Sequence, residues 1–127
     1  MNKAILLTDT AIQTQNGSID ILNLKSEDIN INDIAHALSH IPRFNGHLQQ
    51  HYSVAQHCIY VSHLVEKKYK FQALMHDASE AYICDIPSPI KNMEPLKTAY
   101  GNLENAIMDS INKKYGIYPD SYNVDII

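Results

Sequence analysis

From Ile31 onward the apolar residues of this chain recur at helical spacing, and no other feature limits its fold as strongly. Ile31, Ile34, Ala35, Leu38 and Ile41 share one face, and Val54, Cys58, Val61, Leu64 and Val65 form a second stripe. Leu96, Tyr100, Leu103, Ile107 and Ile111 form another. A stripe of this period has to be buried against a neighbour, and several of them in succession specify helices packed on helices. Phe71, Leu74, Met75 and Ala78 predict a further helix ending near Tyr82, which would put His76-Asp77 in mid-helix.

The punctuation agrees with these stripes. Asn30 and Ser53 can cap the first two helices, Pro42 closes the first, and the second is expected to run to about Lys68. Two prolines in Asp85-Ile86-Pro87-Ser88-Pro89 predict a non-helical segment. Gly116 is placed as a C′ residue after Lys113 and Lys114. The exception to the helical pattern is Ala11–Leu22, where β-prone arms flank Asn16-Gly17, a pair suited to a two-residue type I′ turn. The expected architecture is therefore all-α with a short N-terminal β-hairpin at about 11–22 and a helical core at about 30–127, in a single domain spanning 1–127.

Composition removes several function classes. A net charge of −4 does not suit a protein that grips nucleic acid through a broad basic face. The N-terminal apolar run Ala4-Ile5-Leu6-Leu7 is too short for a membrane span or a signal-peptide core, so a cytoplasmic protein is expected. Cys58 and Cys84 make neither a disulfide framework nor a CxxC motif, and Cys58 falls within the apolar stripe of its helix. The seven histidines stand out, and they direct attention to metal or proton chemistry.

An ionised carboxylate between apolar neighbours is costly unless it is paired or coordinated, and Asp77 is in that position. Glu80 follows His76 by four residues and Asp77 by three, so the three side chains share a helical face. His57 is in register with Val54, Val61 and Leu64, which aims it inward. Two inward histidines and a carboxylate suit a divalent first-row metal, with Mn, Co, Fe, Ni or Zn all compatible. Either histidine alone would more often be a hydrogen-bonded core residue. The joint pattern is what carries weight.

That pattern resembles the HD-domain metal-dependent phosphohydrolases, in particular the small branch that holds bacterial 5′-deoxynucleotidases and their phage or prophage homologues. The resemblance lies in 32–39, in Arg43-Phe44-Asn45-Gly46-His47, in Tyr52–His57 and in Ala73–Tyr82, and it extends through Asp85–Lys91. It implies an HD helical bundle with one divalent transition metal held by His57, His76, Asp77 and, near the C-terminus, Asp125. Glu80 and Asp85 would be the acid/base carboxylates. Arg43 and Lys91 would hold the phosphate, with His47 a weaker candidate for phosphate contact or leaving-group protonation. The family domain normally continues past its last Asp ligand, so the C-terminal helix is expected to be truncated.

The substrate implied is a small nucleotide, foremost a deoxynucleoside 5′-monophosphate. Removal of triphosphate from a deoxynucleoside triphosphate, or a catalytically impaired module that only binds a nucleotide or partner, remain alternatives. A homodimer is compatible with the resemblance. The pairs His36/His40 and His47/His51 have the spacing of helical metal ligands but lack a third donor, and they are expected to pack or to face solvent. Tyr60, Tyr69, Tyr82 and Tyr100 are expected at helix interfaces.

Overall fold

The computed structural model describes residues 10–119. It is mostly helical, with a two-stranded antiparallel hairpin at its N-terminal end. Strands β1 (Ala11–Thr14) and β2 (Gly17–Asp20) pair in the register Ala11 with Asp20 and Thr14 with Gly17. The turn residues are thus Gln15-Asn16, one position earlier than Asn16-Gly17, and the turn is not type I′. Its positive φ belongs to Gly17 alone, at 113°. The Asn16 side chain is recruited elsewhere: its Nδ2 donates to Asp33 Oδ1 at 2.8 Å, pinning the hairpin to the next helix.

That helix, α1 (Ile31–His40), starts where the Asn30 side chain accepts from the amides of Asn32 and Asp33. Its buried apolar positions are Ile34 and Leu38, while Ile31 and Ala35 face solvent, so the stripe is narrower than the sequence pattern suggested. Pro42 and Ser53 form an isolated bridge, and Arg43 N donates to Tyr52 O at 2.7 Å, closing an exposed loop between them. α2 (Val54–Leu64) opens with a reciprocal box: Gln56 N donates to Ser53 Oγ and Ser53 N to Gln56 Oε1. It ends four residues before Lys68, where Val65 turns extended (φ −105°, ψ 164°), and Lys70 Nζ donates to the Ser62 carbonyl at 3.1 Å.

Two short helices follow, α3 (Lys70–Leu74) and α4 (Glu80–Ile83), then α5 (Ser88–Lys91) and the long α6 (Leu96–Tyr115). The expected non-helical stretch is confined to Asp85–Pro87. Ser88 and Pro89 open α5, where a first-turn proline sacrifices no helical hydrogen bond. α6 ends at Gly116, in the left-handed region at φ 67°, with Lys114 Nζ donating to the carbonyls of Ser26 and Ile29.

A main core joins the hairpin, α1, α2, α4 and α6 through Ile19, Ile29, Ile34, Leu38, Val54, Cys58, Met75, Ala78, Tyr82, Ile107 and Ile111, and a smaller cluster of Val61 and Ala73 ties α2 to α3. Tyr82 and Tyr100 are buried as expected, but Tyr60 is 64% exposed, and so is Leu64. Phe71 and Leu74 also face out, leaving Ala73 and Met75 as the inward residues of their segment. Among the described residues no helix is long and apolar enough to cross a membrane.

Candidate metal centre

Between α3 and α4 the chain makes a series of tight turns across residues 75–79, so His76-Asp77 is not in mid-helix. His76 N, Ala78 N and Glu80 N each donate three residues back. Ala73 shows why the helix stops. Its carbonyl would accept from Asp77 N in an unbroken helix, but it is taken by His76, whose backbone N lies 3.3 Å away and whose side-chain Nδ1 lies at 2.5 Å.

A carbonyl oxygen only accepts, so Nδ1 carries the hydrogen and Nε2 is the nitrogen aimed at Asp77. His76 Nε2 lies 3.2 Å from Asp77 Oδ2, and His57 Nε2 from α2 lies 3.4 Å from the same oxygen. One ligand atom from each of the three residues falls within 4.8 Å of the others. Three electron-pair donors converging like this repel unless protons or a cation lie between them. Neutral imidazole with carboxylate is a donor set suited to a divalent transition metal, and a histidine ligand whose other nitrogen donates to a backbone carbonyl is a usual arrangement around one. The residues present fit the metal.

Burial alone would raise the Asp77 carboxyl. The hydrogen bonds from His57 and His76 and the charge of His76 outweigh it and hold Asp77 well below the usual carboxylate range. Glu80 responds oppositely. It is 4% exposed, and burial, then the charges of Asp77 and Asp85, push it up to about 10, against a smaller opposing pull from Lys91. Its Oε1 is buried without a hydrogen-bond partner. An orphaned acid oxygen beside a ligand triad is what an absent metal, water or substrate would leave.

The other residues singled out by the sequence are placed as follows, where they are described. Arg43 Nη1 is 4.0 Å from Asp85 Oδ2, and the two help to wall a pocket of about 270 Å³ with Phe44, Ile86, Pro87 and Pro89. Arg43 Nε is buried without a partner. The Arg43–Gly46 turn is left-handed, with Phe44 at φ 55° and Asn45 at φ 54°, backbone angles that are strained for a bulky side chain. Lys91 pairs with Glu104 at 3.3 Å and lies 4.9 Å over the Tyr100 ring. The sequence does not single out Glu104, and the helical stripe that marks Tyr100 as an interface residue carries no signal of a role beside Lys91. His47 is exposed and does not line the pocket. Asp125 lies outside the described residues. His36 and His40 are exposed, their rings 4.3 Å apart, with His40 Nδ1 on the His36 carbonyl.

No protein-family model matches the chain. The chain is 50% identical over 96 residues to the uncharacterized protein YfdR of Escherichia coli (strain K12), an alignment covering 76% of this chain and 52% of that protein. It is 30% identical over 108 residues to an uncharacterized protein of Rhodobacter capsulatus, covering 78% of this chain and 54% of the relative. The chain spans about half the length of the curated relatives it matches.

Proposed function

We propose that this protein is a metal-dependent phosphohydrolase of the HD type acting on nucleotide phosphate esters, with deoxynucleoside 5′-monophosphates as its substrate class. The observation that carries the reading is the convergence of His57, His76 and Asp77 with the Ala73 carbonyl fixing the His76 tautomer. These three residues would hold the metal, and by resemblance Asp125 is the fourth ligand. When bound, a divalent cation polarises a phosphoryl oxygen and brings ionised water within reach near neutral pH.

The protein's own groups supply the rest. Arg43 offers a planar fork with an unsatisfied Nε, suited to phosphate oxygens, at the edge of the pocket. Lys91 adds a point charge from α5. Glu80, buried beside the triad with an unpartnered Oε1, is placed to orient a water or move a proton. Asp85, facing Arg43, is placed to accept one.

The test is direct. Protein loaded with Mn²⁺ or Co²⁺ is incubated with deoxynucleoside mono- and triphosphates, and the released phosphate or triphosphate is identified. Phosphate from the monophosphates, lost in Asp77→Ala, supports the reading. Release of triphosphate reassigns the substrate. No release from either, with tight metal or nucleotide binding retained, makes the protein a binding module instead.

A further inference from the structure

We propose that Tyr100 is a positioning residue whose hydroxyl clamps the strained Cys84 backbone and thereby sets Asp85 against Arg43 and Glu80, a role that rests on the phosphohydrolase reading above. Cys84 has φ 67° and ψ 170°, a conformation that glycine adopts freely and other residues adopt only under constraint. Two bonds impose it. Cys84 N donates to the Glu80 carbonyl at 2.9 Å, and the Cys84 carbonyl accepts from Tyr100 Oη at 2.6 Å.

Asp85 is the next residue, so the angle held at Cys84 fixes the direction in which its carboxylate leaves the chain. Tyr100 comes from α6, is buried, and carries Lys91 Nζ over its ring face. A single side chain thus meets Lys91 through its ring face and the backbone beside Asp85 through its hydroxyl. The parts are separable: Tyr100→Phe keeps the ring and removes only the clamp, while Cys84→Gly removes the strain that makes a clamp necessary.

The experiment compares Tyr100→Phe, Cys84→Gly and the double variant in the metal-loaded full chain, measuring kcat and KM for nucleotide hydrolysis and the thermal midpoint. Tyr100→Phe should lower kcat about tenfold or more with KM little changed, since misplacing a reacting group costs rate rather than affinity. Cys84→Gly alone should stay near wild type, and the double variant should recover most of the lost kcat. Wild-type kcat in Tyr100→Phe, or a loss that Gly at position 84 does not restore, overturns the proposal. If wild-type protein hydrolyses no nucleotide, the phosphohydrolase reading fails by itself. The clamp is then decided by the midpoints: the loss caused by Tyr100→Phe should shrink in the Cys84→Gly background, and equal losses in both backgrounds overturn it.

Discussion

His76 Nδ1 sits 2.5 Å from the carbonyl of Ala73, three residues before it, and this bond ends α3 and turns Nε2 towards Asp77. The same contact is therefore a helix terminator and a tautomer lock. It leaves Nε2 facing a carboxylate that His57 also faces, so the three side chains are already brought together in the metal-free protein. A site organised in advance loses little on binding, because few rotamers remain to be fixed.

Adding Mn²⁺ or Co²⁺ to metal-free protein should raise its thermal midpoint, as any ligand that binds only the folded state must; saturation at 100 times Kd is worth about 2.7 kcal/mol. Asp77→Asn should remove most of that rise, since an amide contributes no charge to the metal. Protons held between the ligands must leave on binding, so calorimetry in buffers of different ionisation enthalpy should detect proton release, and affinity should fall below about pH 6.5. An equal rise in Asp77→Asn would place the metal elsewhere.

Glu80 gives the metal-free protein a pH dependence of definite sign. Its folded pKa of about 10 lies above the ordinary 4.5, so between these values the folded state holds a proton that the unfolded state has lost. Stability is therefore full below about pH 4.5 and declines as pH rises, by at most about 1.4 kcal/mol per pH unit. Asp77 contributes oppositely: with its folded pKa depressed below 3.8, its stabilisation is present above that value and lost only in stronger acid. Urea midpoints of metal-free protein at pH 5 and pH 8 should differ in wild type, and the difference should shrink in Glu80→Gln.

Arg43 and His47 belong to the same loop, but only Arg43 reaches the pocket. Arg43→Lys should lower kcat/KM for nucleotide hydrolysis about tenfold or more, because an ammonium cannot reproduce the bidentate fork. His47→Ala should change it less than about twofold. Steady-state kinetics on the two variants separates them, and a large effect at His47 would require the loop to close over substrate.

Ile111 and Leu64 both fit helical apolar stripes in the sequence, yet Ile111 is fully buried and Leu64 is 64% exposed. Ile111→Ala should cost about 2–5 kcal/mol and Leu64→Ala no more than about 0.5 kcal/mol. Chemical denaturation with unchanged slopes would measure both. A large loss at Leu64 would mean that its face of α2 is covered in solution.

The sequence by itself determined both ends of α1 and α6 and the start of α2, because caps and breakers act over a few residues: Asn30, Ser53, Pro42 and Gly116 behave as their local chemistry dictates. It also singled out His57, His76 and Asp77, since a carboxylate in an apolar run requires a partner whatever the fold. The hairpin was legible but its turn was misplaced by one residue, because Asn16 was drawn away by Asp33, seventeen residues further on. Likewise Leu64 and Phe71 carry helical periodicity, but periodicity cannot say whether a second element covers that face. The rise of Glu80 and the contact of Tyr100 with Cys84 were decided by tertiary structure alone. Each depends on side chains meeting across turns and helices at distances of a few ångströms, and such encounters leave no regular spacing in the chain.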